Sequence, residues 1–243
     1  DLVALLMDHT KAMGIDLKCA AKVEKVEKNT DGFEVFYDTP DGPKTVLCDL
    51  VVHAAGRVAN IDTLNLGAIG VAHDRKGIKV SKYMRSTSNP DVFAAGDCAD
   101  SGPNLTPVSA NEARIVAKNL LAGADVREVS YPPIPSVVFT LPPVAAVGLS
   151  EQDARAQGLK FDVNFQKTGG WYSSMRVGAT HSGFKVLVEQ GSGRILGAHL
   201  IGPGAEEQIN LFAMAMGAGL SANQIKGIIF AYPSYASDLG SMV

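Results

Sequence analysis

The sequence predicts an α/β fold in two parts, and three observations carry that prediction. Two short apolar runs closed by small residues, 50–52 and 92–95, read as buried central strands, and a helical pattern follows the second. A proline-rich segment, Tyr131-Pro132-Pro133-Ile134-Pro135, marks a boundary. Beyond it, short strand patterns alternate with turn signals and two helices, the pattern of an antiparallel α+β domain.

Each element has its own signal. Residues 1–13 form a helix, because Leu2, Leu5, Leu6, His9 and Met13 share one face and Gly14 follows as a stop. Strands are expected at 15–19, 22–28, 33–37 and 44–48, with Thr39-Pro40-Asp41-Gly42 as a turn before the last. Residues 60–90 are turn-rich, with a strand at 78–80 and a turn at Asn89-Pro90-Asp91. Thr106 is placed to cap a helix with Pro107 at its first position. Ala113, Val116, Ala117, Leu120 and Leu121 give its expected inner face, and Gly123 its end. In the second part, strands are expected at 136–139, 144–148, 161–165, 184–189 and 195–201. A helix capped by Ser150 covers 150–157, and another covers 205–217. Residues 209–216 are apolar around most of that last helix, which predicts burial on all sides, by its own core or by a partner. Trp171 reads as a surface-loop or interface anchor.

Composition narrows the function. The 243 residues are 46% hydrophobic and 19% charged, which excludes wholesale disorder. Lys plus Arg number 22 against 25 Asp plus Glu, a net charge of −3 that leaves no broad basic face for nucleic acid. No apolar run approaches the ~20 residues of a membrane helix. Cys19, Cys48 and Cys98 are too widely spaced for a disulfide framework, which favours the cytoplasm. The first residue is Asp1, inside a helical pattern, so the sequence is expected to be a fragment with no signal peptide.

Chemistry concentrates at Asp91-Val92-Phe93-Ala94-Ala95-Gly96-Asp97. Ligands of open α/β sheets lie beyond the carboxyl ends of strands, and Asp97 stands at such an end. A carboxylate there can accept hydrogen bonds from hydroxyls, while Gly96 lets a ligand approach the backbone. The helix starting near Thr106 offers unpaired N–H groups and a dipole that favours negative charge. On pattern alone, the unit is equally a plain strand–loop–helix with Asp97 as a turn residue. His9, His53, His73, His181 and His199 show no ligand spacing, so no metal site is expected.

Three stretches in order resemble the pyridine nucleotide–disulfide oxidoreductases, the flavoenzyme family of glutathione reductase, dihydrolipoamide dehydrogenase and mercuric reductase. Residues 49–60, ending in Gly56-Arg57-Val58-Ala59-Asn60, resemble the close of the nicotinamide domain. Residues 87–97, with Leu105-Thr106-Pro107-Val108, resemble the second FAD signature and its helix. Residues 134–149, with Pro142-Pro143 and Val147-Gly148-Leu149, resemble the start of the dimerisation domain. The resemblance implies a partial Rossmann-like FAD/NAD(P)-binding half, with residues 1–60 from the nicotinamide domain and 61–130 from the FAD domain, followed by a dimerisation domain at 131–243. It implies that Asp97 binds the ribityl hydroxyls of FAD beside Gly96. Asn104, Leu105, Thr106 and Pro107 would face the flavin pyrimidine, and Gly56 would approach NAD(P)H. The implied function is an FAD-dependent enzyme passing electrons from nicotinamide through flavin to a disulfide or other acceptor. A homodimer through residues after Pro135 is implied with it. The alternative for the isolated chain is a non-catalytic homodimerisation module.

The departures from the family are as informative. The first FAD fingerprint, the C-x4-C redox pair and the nicotinamide glycine motif are absent from this sequence. Gly202-Pro203-Gly204 reads instead as a strand-to-helix turn. Where many members carry His-Pro, with Glu five residues after the His, this sequence has Tyr232-Pro233 and Ser237, with Asp238 one place late. A phenol with a pKa of ~10 is a poor general base near neutrality, so Tyr232 either donates a hydrogen bond, helps hold a metal ion or other oxidant, or is an interface aromatic.

Overall fold

A computed structural model describes residues 1–243. The chain divides into two compact units, one of Asp1–Lys22, Asp38–Gly42 and Pro132–Val243, the other of Val23–Tyr37 and Pro43–Tyr131.

Helix α1 (Leu2–Ala12) buries Leu2 and Leu5, one turn apart on the same face, and Gly14 follows it with φ +82°. Residues 15–19 form no strand. Ile15 is exposed, and an extended segment without a neighbour has no ladder to join. Strands β1 (Lys22–Asn29), β2 (Gly32–Thr39) and β3 (Gly42–Cys48) pair in sequence order. Their two-residue connections permit only antiparallel neighbours. The buried strand expected at 50–52 is absent. Leu50 is 74% and Val52 77% exposed, and Val46 and Leu47 near the end of β3 and Val58 after the run are exposed as well. An apolar run becomes a central strand only where strands stand on both sides of it, and none pairs with this one.

The middle of the chain is built on a small mixed sheet. Strand β4 (His73–Asp74) runs antiparallel to β5 (Gly77–Lys79), which lies parallel to β6 (Ala99–Asp100). Residues 92–95 are extended, but they form one bridge, Arg85 to Phe93, rather than the expected strand. Helix α2 (Thr106–Ala122) follows, with Leu105 rather than Thr106 at the N-cap and Pro107 in the first turn. Its buried face is Val108, Glu112, Ile115 and Asn119. The predicted inner face is therefore wrong: Leu120 and Leu121 are exposed, and of that set Val116 alone packs against the core of Ile78, Met84, Ala94 and Ile115. The two polar residues displace the leucines because each satisfies several groups at once: Asn119 four backbone groups, Glu112 two backbone N–H groups and two hydroxyls. The Asn119 amide donates to the carbonyls of Tyr83 (3.0 Å) and Arg127 (2.9 Å), and its oxygen accepts from the Val126 and Arg127 N–H groups.

The last part carries β7 (Ser136–Val138), β8 (Val144–Gly148), α3 (Glu151–Ala156), β9 (Phe161–Lys167), α4 (Tyr172–Met175), β10 (Gly183–Glu189), β11 (Ile195–Ile201), α5 (Ala205–Gly217), α6 (Ala222–Lys226) and α7 (Leu239–Met242). Its five-stranded antiparallel sheet has the order β7-β8-β11-β10-β9. Phe184 stands opposite Leu200 and Val186 opposite Ala198, and all four point into a core shared with Ile209 and Phe212 of α5. Helix α5 is not buried all round, since Met214 is 66% exposed. Trp171 is half-buried, its ring 5.6 Å from that of Phe184, so it packs on this core instead of standing in an open loop. No helix is long and apolar enough to cross a membrane.

Candidate functional site

The extended residues 92–95 end in a 3-10 turn, Gly96–Cys98, that changes the direction of the chain. Gly96 sits at φ +70°, a conformation that favours glycine, and a Cβ there would crowd the Ser109 side chain, 2.7 Å from its Oγ. Asp97 is exposed, and no side-chain hydrogen bond or ion pair engages its carboxylate.

One buried carboxylate, which the sequence reading missed, fixes the loop behind Asp97. Glu112 is 1% exposed. Its Oε2 accepts the Gly96 N–H at 2.6 Å. Its Oε1 accepts the hydroxyls of Ser101 (2.8 Å) and Tyr131 (2.5 Å) and the Gly102 N–H (3.3 Å). Burial and the bond to Glu112 push the Tyr131 phenol up to about 12, so it stays a donor at any ordinary pH. The signal for Glu112 was present in the sequence. Positions 108, 112, 115 and 119 repeat at helical spacing, but an acid among them reads as solvent-facing unless its donors are known.

The loop ends at the start of α2. The N-cap Leu105 brings no side-chain cap, and the first intrahelical bond is Ser109 N–H to Leu105 O, at 3.0 Å. The Thr106 and Val108 amides therefore lack helical acceptors, and Pro107 has no N–H to satisfy. Asn104 lines a cleft of about 360 Å³ with Arg57, Arg75, Lys76, Asp100 and Ser101. The β4–β5 hairpin beside it is tied down by Lys79, which bridges Asp74 and Asp100 at 2.5 Å each. Gly56, at φ +88° with open space around it, precedes Arg57 in a segment without regular structure. Thus Gly96, Asp97, Asn104, Leu105, Thr106 and Pro107 lie on one segment that runs from the 3-10 turn through the two-residue strand β6 to the start of α2, and Gly56 adjoins the cationic rim of the cleft.

Tyr232 belongs to the other unit. Its ring is 73% exposed and stacks on Tyr172 at 6.0 Å. Neither nearby polar residue serves it. Ser237 Oγ donates to the Ser234 carbonyl at 2.5 Å, and the Asp238 carboxylate accepts Ser173 Oγ at 2.5 Å. Burial raises the Asp238 carboxyl above its ordinary range, an effect that the Ser173 bond partly offsets. No group of three or more His, Cys, Asp or Glu converges to hold a metal ion.

Residues 1–113 match the family model described as pyridine nucleotide-disulphide oxidoreductase, and residues 134–243 match that family's dimerisation domain. An uncharacterised 19.7 kDa protein of a mercuric resistance operon in Staphylococcus aureus is 41% identical over 74% of the chain and all of its own length. The dihydrolipoyl dehydrogenase of Geobacillus stearothermophilus is 32% identical over 96% of the chain and 49% of its own length. The mycothione reductase of Mycobacterium tuberculosis is 38% identical over 78% of the chain and 42% of its own length. Among solved structures, the HOCl-induced flavoprotein disulfide reductase RclA of Escherichia coli superposes with a TM-score of 0.85 at 26% identity, over the whole chain and 55% of that protein. The chain thus spans about half the length of the enzymes that it matches. On the two collinear matches, which together take in all three stretches singled out in the sequence, the chain belongs to the pyridine nucleotide–disulphide oxidoreductase family.

Proposed function

We propose that this chain is the flavin-tail and subunit-contact part of an FAD-dependent oxidoreductase, in which electrons pass from NAD(P)H through the flavin to a disulfide or another acceptor. The observation that carries the reading is the loop from Gly96 to Thr106: a partnerless exposed carboxylate at its head, a buried carboxylate holding its middle, and free helix amides at its end. Bound FAD would supply the relay between a two-electron donor and the acceptor. Asp97 would accept hydrogen bonds from ribityl hydroxyls, and Gly96 lets the chain turn away beneath them. The Thr106 and Val108 amides, with the α2 dipole, would stabilise negative charge on the pyrimidine edge of the flavin. Asn104, Leu105 and Pro107 shape that edge, and Gly56 leaves room for the nicotinamide dinucleotide. Tyr232 would donate a hydrogen bond or pack at the subunit contact; with Asp238 engaged by Ser173, it has no base beside it. The names borne by the relatives support a disulfide as acceptor.

In the intact protein, Asp97→Ala is expected to lose most of its FAD on purification, while the wild type stays yellow and is bleached by NADH or NADPH. Unchanged FAD retention in the variant overturns the assignment.

A second reading applies to the 243 residues by themselves: a homodimerisation module without catalysis. The observation that favours it is the set of exposed apolar side chains at Met214, Ile228, Ile229 and Tyr232, within the segment matched by the dimerisation model. A monomer in dilute solution, or micromolar binding of added FAD, counts against it. Neither nucleic acid nor a membrane enters the proposal, and the three free thiols fit a reducing cytoplasm.

A further inference from the structure

Two histidines 172 residues apart in sequence meet between α1 and the start of β10. His9 Nδ1 and His181 Nδ1 stand 3.3 Å apart, with ring centroids 5.0 Å apart and planes inclined at 55°. Thr180 Oγ1 lies 2.9 Å from the same His181 nitrogen. Both rings are half-buried. No carboxylate forms an ion pair or a hydrogen bond with either ring.

An ion about 2.05 Å from each of two imidazole nitrogens, at a tetrahedral angle, holds those nitrogens about 3.3–3.4 Å apart. The same arrangement sets the ring centres roughly 5.2 Å apart, because each centre lies behind its nitrogen on the line to the metal. A straight N–H···N bond of the observed length would push the centres farther apart, to about 5.6 Å. The separation of 5.0 Å, with planes inclined at 55°, lies nearer the chelate value than that of a straight bond. Two neutral imidazoles suit borderline cations such as Zn²⁺, and two coordination positions remain for water or a further donor.

We propose that His9 and His181 form a two-imidazole chelate for a Zn²⁺-class ion, bound through both Nδ1 atoms, which fastens α1 to the segment leading into β10 of its own unit. Thr180 then turns its hydroxyl away from the occupied nitrogen. The site is independent of the flavin reading, since neither residue belongs to the loop around Asp97. Bound only by the folded chain, the ion adds stability by mass action.

The test is titration of the chain with Co²⁺ as a visible probe for Zn²⁺, together with melting in Zn²⁺ and nitrogen NMR of the imidazoles. Tetrahedral Co²⁺ bands and a higher Tm in Zn²⁺ are expected. His9→Gln and His181→Gln should each weaken the metal by about tenfold or more, a loss of the size that follows disturbance of a ligand set. His73→Gln and Cys19→Ser should leave it unchanged. In the wild type, Zn²⁺ should shift the Nδ1 signals of His9 and His181 and spare those of His53 and His73, a readout that needs no variant to fold. Bands that survive both histidine changes, bands that vanish with Cys19→Ser, or unmoved Nδ1 signals would each overturn the proposal.

Discussion

Removing the Glu112 carboxylate strands four donors at once: the Gly96 and Gly102 amides and the Ser101 and Tyr131 hydroxyls. A buried donor left unsatisfied costs about 1–3 kcal/mol, but neighbouring losses overlap and water can enter part of the space. Glu112→Ala should therefore lower the unfolding free energy by about 3 kcal/mol, read from a denaturant titration, and Glu112→Gln, which keeps one acceptor oxygen, by less. Direction matters more at His199. Burial holds its imidazole below the usual 6.5, against a weaker opposing effect from Nε2 bonding to the Leu149 carbonyl at 3.0 Å. The folded chain thus favours the neutral ring. The stability this contributes is present above pH 6.5 and is lost as pH falls from there toward the depressed folded value. His199→Gln should flatten the fall in Tm between pH 7 and pH 5; an unchanged slope would assign that fall to other groups.

Short elements here depend on their ends. Helix α6 has only five residues and begins with a reciprocal cap, in which Ser221 Oγ accepts the Gln224 N–H and Gln224 Oε1 accepts the Ser221 N–H. Ser221→Ala should cost about 1 kcal/mol, measured by chemical unfolding. In α5, Phe212 is fully buried against the sheet, and Phe212→Ala should cost about 3–5 kcal/mol by the same measurement. How far the sequence could be read also depends on the element. Strands β9 and β10 were legible because they pair with near neighbours in the chain, and β8, β11 and helix α5 because each is a short apolar run bounded by turn residues, although β8 and β11 pair across about fifty residues. A continuous apolar stretch becomes a strand only through neighbours that it does not itself encode, so 50–52 pairs with nothing, and 92–95, which is packed in the core as expected, makes a single bridge. At the candidate site, Gly96 and Asp97 could be found by local pattern. Spacing puts Glu112 on one face with Val108, Ile115 and Asn119, but its role could not be found that way, because it lies in four donors that only the folded chain assembles. The His9–His181 contact was invisible for the same reason, at a separation of 172 residues.

For the whole molecule, the proposed subunit contact makes a prediction about mass. Ile229 is 98% exposed and stands among other uncovered apolar side chains in the matched dimerisation segment. Ile229→Glu should shift the sedimentation profile toward monomer while leaving the circular dichroism unaltered, because a charge at a closely packed contact must be stripped of water. A second consequence follows from the stretch that failed to become a central strand. Val46 and Leu47 of β3, with Leu50, Val52 and Val58 beyond it, leave large apolar side chains facing solvent, and apolar surface of this kind favours self-association as concentration rises. Concentrated stocks of this polypeptide should therefore turn cloudy, and Leu50→Lys with Val52→Lys should keep them clear for longer.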